Sequence, residues 1–217
     1  MTIGSDIAAP GSGIAAPGFE AQVRRLVELW PAAGEARSET AIRDRLERLR
    51  KPFERSVADR GPAGGPFIVP SDTLRPLLGW VARIDRTDGR PGTVIGPAEV
   101  GAYRTIDSVG IPDGDGYLLV GVDLGDSTRN VPPESALIPI ATAGRTPLTI
   151  AEGLAIHAQL PGVIARDRGF SLAGSTRGDR RTPALWVSKS RPKLGWCYLG
   201  APHTWLGTAS CVQRVGA

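Results

Sequence analysis

The chain has 217 residues and 26 lysines and arginines against 22 acids, a net charge of +4; that is room for one domain with appendages or two small ones. Its 41% hydrophobic and 22% charged residues are ordinary for a soluble globular protein. Two cysteines exclude a disulfide framework, and no apolar run reaches the roughly 18–20 residues of a membrane span, so the expected setting is cytoplasmic and reducing.

In chain order, residues 1–18 read as a flexible tail in which IAAPG occurs twice, at 7–11 and 14–18. The tail lacks the basic start and continuous apolar core of a signal peptide. A helical segment follows over 19–57. Phe19, Val23, Leu26, Val27 and Trp30 share one helical face, and Pro31 stops that helix. A second helix is expected from a Ser38 cap towards Lys51, with Ile42, Leu46 and Leu49 inward. Its acid-before-base pairs, such as Glu39–Arg43, mark a solvated outer face rather than a nucleic-acid stripe.

Pro52 and the glycine- and proline-rich stretch 58–66 read as a linker into a β-rich body over 66–217. Phe67-Ile68-Val69 is a short buried strand. Residues 80–85, Thr93-Val94-Ile95 and residues 103–106 are weaker strand signals, with a turn at Asp88-Gly89. Residues 117–122, almost wholly apolar, suit a central strand. Thr149 and Glu152 form a capping box ahead of another helix, which Pro161-Gly162 ends. Three strands at 170–173, 184–188 and 194–199 then make a meander joined by basic loops. The fold class expected is α+β: two N-terminal helices packed on a mainly antiparallel sheet with a C-terminal β-meander.

Candidate chemistry concentrates at 170–206. Arg177, Arg180, Arg181, Lys189, Arg191 and Lys193 face a single Asp179 there, a local balance of +5 that exceeds the charge of the whole chain. Arg180 and Arg181 offer planar forks for carboxylate or phosphate, and Lys193 a point charge. Trp186, Trp196 and Trp205 could wall a pocket and stack on a planar ligand, or simply fill a core. Cys197, His203 and Asp179 supply a nucleophile, a base and an orienting acid, although Cys197 sits between two aromatics in an apolar strand, where buried inert thiols are common. Adding Cys211 to Cys197 and His203 gives only three zinc ligands without a close cysteine pair, so no metal is expected. His157 has no candidate co-ligand nearby, and Asp113-Gly114-Asp115-Gly116 lacks the later ligands of a calcium loop.

The strings RTPLTIAEGLA, FSLAGSTRGDRR, PALWVS, RPKLGWC and PHTWLG resemble those of an uncharacterised family of bacterial proteins. The resemblance spans roughly 67–211 and implies no reaction, cofactor or substrate. The residues themselves point to binding of a small anionic, planar molecule by Arg180, Arg181, Lys193, Trp186, Trp196 and Trp205. His203 is the candidate acid or base, assisted by Cys197 or Asp179. The alternative is a non-enzymatic module whose basic face meets nucleic acid or a protein partner.

Overall fold

Phe19, Val23 and Leu26 recur at helical spacing, and all three are buried on α1 (Phe19–Leu29). The computed structural model describes residues 13–29, 39–61, 64–71, 79, 81, 84 and 90–217. Residues 1–12 of the expected tail, Trp30, the Ser38 cap and the 88–89 turn lie outside these. Of the strand expected over 80–85 only Val81 and Ile84 are described, both fully buried.

The second helical stretch is two helices, α2 (Glu39–Glu47) and α3 (Arg50–Arg60). The linker begins at Gly61 rather than near Pro52. Pro52 falls in the first turn of α3, where a missing N–H leaves no intrahelical bond unmade. Asp115 holds α2 to the body through Arg45 at 2.6 Å, and Arg45 keeps that carboxyl below its usual range.

The chain continues through β1 (Phe67–Pro70), β2 (Thr93–Val94), the short α4 (Pro97–Val100), β3 (Arg104–Thr105) and β4 (Gly116–Val120). Next come α5 (Pro133–Thr142), β5 (Thr146–Pro147), α6 (Ile150–Gln159), β6 (Gly169–Ser171) and β7 (Ser175–Thr176). The C-terminal strands are β8 (Arg181–Ser188), β9 (Arg191–Tyr198), β10 (Leu206–Thr208), β11 (Ser210–Cys211) and β12 (Gln213–Val215). The class is α+β. Among the described residues no helix is long and apolar enough to cross a membrane.

Two sheets organise the body. In the first, the apolar β4 lies between β1 and β12, antiparallel to both. The free edge of β1 is closed by side chains: Ile68 N–H donates to Gln22 Oε1 at 2.8 Å, and Gln159 Nε2 donates to Ile68 O at 2.8 Å. Both glutamines are buried, so α1 and α6 satisfy the backbone groups an edge strand would otherwise strand in the core. The second sheet has the order β10-β6-β8-β9-β2. Its middle, β6-β8-β9, is the antiparallel meander, while β10 and β2 join the two edges in parallel. One continuous cluster, including Phe67, Leu118, Leu154, Phe170, Leu185 and Leu194, packs α1, α6 and both sheets together.

Candidate functional site

The site is decided by the β8–β9 hairpin. Its turn residues, Lys189 and Ser190, both have positive φ (49° and 59°), as a two-residue turn matching strand twist requires. The register pairs Arg181 with Tyr198, Thr182 with Cys197, Pro183 with Trp196 and Trp186 with Lys193. Successive strand residues point to opposite faces. One face therefore carries Arg181, Leu185, Leu194 and Trp196, and the other carries Ala184, Trp186, Lys193 and Cys197. The nine residues singled out in the sequence do not converge on one pocket.

On the first face the arginines are already paired. Arg177 Nη1 donates to Glu99 Oε2 at 2.6 Å and Arg181 Nη1 to the same oxygen at 3.1 Å. Asp179 Oδ2 lies 3.1 Å from Arg177 and 3.4 Å from Arg181, and Asp179 Oδ1 accepts the Arg181 N–H. Arg181 also stacks 4.9 Å from the centre of Trp196, which meets Tyr198 edge-on at 5.3 Å. Arg180 reaches Glu134 at 2.7 Å. Glu99, about 80 residues upstream, and Glu134 on α5 thus lower the local excess from +5 to +3 and, with Asp179, engage Arg177, Arg180 and Arg181. Exposed pairs of this kind contribute little to stability, but they leave fewer bare cations for phosphate.

The second face is different. Trp186 lies across β9 over Gly195, a position where a Cβ would come within 2.3 Å of the indole. Its ring sits 5.7 Å from that of Trp205, whose other neighbour is His203 at 5.4 Å. Lys193 Nζ flanks Trp186 at 5.8 Å from the ring centre. The two tryptophans line a groove of about 240 Å³ together with Ala165, Asp167, Arg168 and Ser188. Its far wall is a tight turn in which the Ala165 and Arg168 backbones bond each other. Arg168 is anchored by Asp126 at 3.3 Å. Gly169 N–H donates to Trp205 O, which ties the second tryptophan to the start of β6.

Cys197 and His203 are near this groove but do not line it. Cys197 packs with Ala184 and Leu206 beneath the tryptophans, and burial pushes its thiol up to about 12. His203 backs Trp205, with its Nε2 buried and, among the described residues, without a hydrogen-bond partner. Asp179 is engaged with arginines on the other face. Among the described residues no hydrogen bond joins these three, so they do not form a relay. Cys211, in turn, is buried beside Thr146 in the small β5–β11 sheet. In the folded protein at mildly alkaline pH, neither thiol is expected to react rapidly with a chromogenic disulfide, whereas two per chain should titrate after unfolding. A fast native thiol would contradict the burial of Cys197.

Arg168, Glu99 and Glu134 carry no local sequence signal; they join these sites through long-range packing. Among the described residues no three histidine, cysteine or acidic side chains gather as metal ligands. A family model described as a family of unknown function (DUF5701) matches residues 25–217, so the chain belongs to that family. Searches of curated proteins and of solved structures return no match.

Proposed function

We propose that this member of the DUF5701 family binds a small, planar, anionic molecule in the groove between Trp186 and Trp205. The observation that carries the proposal is the pairing of two half-buried indole faces with Arg168 on the opposite wall, and with Lys193 beside Trp186 though outside the groove's lining. A flat ring entering the groove gains stacking and apolar burial on the indoles. Its negative group can meet Arg168 or Lys193 at the rim, where each cation stays partly hydrated. Asp167 on the same wall disfavours a second negative charge, which suits a monoanion.

Trp196, Arg180 and Arg181 belong to the paired face and take no part. His203 supports Trp205 from behind, so the proposed activity is binding, with His203 as a positioning residue rather than an acid or base. The setting we propose is the bacterial cytoplasm, where two buried unpaired thiols remain reduced.

Titration with planar aromatic carboxylates, followed through the indole N–H signals of the five tryptophans, tests the proposal. Trp186 and Trp205 are expected to shift while Trp196 stays still, and Lys193→Ala should weaken the effect about tenfold. Shifts centred on Trp196, or none with any member of the panel, would overturn it. Salt separates it from the nucleic-acid alternative. Affinity for the planar acid should fall only modestly between 50 and 200 mM salt, whereas a surface making several phosphate contacts would lose roughly a thousandfold.

A further inference from the structure

A second cavity, of about 140 Å³, lies between the loop that leaves β4, helix α5 and strands β10 and β11. Its lining combines opposite charges with an apolar wall: Asp123 and Arg145, the hydroxyl residues Ser127 and Thr208, and Pro139 and Ile140 from α5. Arg145 is held in place. Its Nε donates to Ser210 Oγ at 2.9 Å, and its Nη2 donates to Gly121 O at 2.7 Å and Ser210 O at 3.1 Å. Its Nη1 makes no hydrogen bond among the described residues. Burial pulls the Arg145 guanidinium below its ordinary value while the nearby Asp123 charge supports it.

Asp123 is fixed as well. Its backbone exchanges hydrogen bonds with Ser210, its Oδ1 accepts the Gly125 N–H at 2.7 Å, and its Oδ2 makes no hydrogen bond among the described residues. Thr128 completes the loop by accepting the Thr208 N–H and donating to Gly125 O, both at 2.8 Å. A cation and an anion are therefore presented on rigid backbone at one small cavity, and they do not neutralise each other within ion-pair distance.

We infer that this cavity binds a small zwitterion, an α-amino acid with a short aliphatic side chain. Its carboxylate would pair with Arg145 Nη1, its ammonium with Asp123 Oδ2, and its side chain would rest on Pro139 and Ile140. The size agrees, since an apolar cavity of about 150 Å³ accommodates benzene, a molecule with as many heavy atoms as alanine. Charge complementarity supplies specificity: a simple carboxylic acid would leave Asp123 facing a desolvated anion, and a simple amine would do the same to Arg145.

Saturation-transfer NMR with L-alanine and L-valine on the full chain tests the inference, with propionate and isobutyrate as the corresponding acids lacking the ammonium. Transfer to at least one amino acid is expected, and binding of the paired acid should be at least tenfold weaker. Asp123→Asn keeps the acceptor for Gly125 N–H and removes the charge, so it should retain the fold and lose amino-acid binding at least tenfold. Trp186→Ala should leave it unchanged, because the cavity and the tryptophan groove share no lining residue. Absence of transfer from both amino acids, or equal binding by Asp123→Asn, would overturn the inference. Loss of binding in Trp186→Ala would instead assign the amino acid to the groove, and overturn it too.

Discussion

Replacement of Arg214 by methionine is expected to destabilise the protein by about 3–5 kcal/mol, the usual cost of leaving one partner of a buried ion pair without the other. The Arg214 side chain on β12 is 5% exposed and Glu152 on α6 is fully buried. Arg214 Nε donates to Glu152 Oε1 at 2.5 Å and Nη2 to Oε2 at 2.9 Å. The same guanidinium reaches Thr146 Oγ1 and Pro147 O, so one side chain joins β12, β5 and α6. Burial pulls the guanidinium pKa down, but the Glu152 hydrogen bond and charge more than offset this and hold it above its ordinary value. Glu152 also accepts the Tyr117 O–H at 3.0 Å and the Thr149 N–H at 2.7 Å. Burial, then the adjacent Glu152, push the Tyr117 phenol well up, so it stays a neutral donor.

Removal of the cation leaves a buried carboxylate with only those two donors. For a chain of this length the loss corresponds to a fall of roughly 6–20 °C in Tm. The double variant Arg214→Met, Glu152→Gln should recover at least half of it. Glutamine carries no charge: its carbonyl oxygen keeps an acceptor for the Thr149 N–H, and its amide N–H faces the Tyr117 hydroxyl, which can turn to accept. Thermal or urea unfolding of the wild type and both variants measures this. A loss below about 1 kcal/mol in Arg214→Met would mean that water reaches Glu152 and the pair is not sealed.

Much of this fold is legible in the residues. The run at 117–122 announces the centre of one sheet, the Thr149 and Glu152 box caps α6 as its spacing requires, and the three meander strands appear where alternation places them. Helix α5 is not legible, because Pro133 and Pro139 both read as breakers. Pro133 opens the helix, where proline is favoured, and Pro139 sits in an interior where packing overrides the lost hydrogen bond. The dual role of Glu152 also escapes a local reading. A capping box accounts for its spacing from Thr149, while Arg214 arrives from 62 residues away.

The site divides in the same way. Its tryptophans and Lys193 stand out by composition, yet strand periodicity alone separates them. Trp186 and Lys193 are cross-strand partners and share a face, whereas Trp196, three residues from Lys193 on one strand, must point the other way. That much was available from residue numbers. The neutralisation of Arg177, Arg180 and Arg181 was not, since Glu99 and Glu134 reach them only through tertiary packing. The far wall of the groove, Asp167 and Arg168, is likewise a product of the turn after α6.

Gly195 gives the groove its second sharp test. Alanine at this position is expected to reduce binding of the planar acid at least tenfold while the chain still folds. An added Cβ would lie 2.3 Å from Trp186 Cη2, 2.9 Å from Cζ3 and 3.0 Å from Ile95 Cδ1. Two effects compete on stability. Alanine stiffens a strand residue in the unfolded chain, a gain of up to about 1 kcal/mol where the backbone accepts it. Overpacking against the indole costs about 1–3 kcal/mol. The atoms met are the far end of a side chain, so the ring can tip away from β9 rather than force the backbone apart, and the net loss should stay at the lower end of that range. Tipping the ring destroys the alignment of Trp186 with Trp205 on which stacking depends. The Trp186 indole N–H signal should therefore move before any ligand is added, and the affinity should fall with it. If signal and affinity both match the wild type, Trp186 does not rest on Gly195, and the groove loses the floor on which the binding proposal stands.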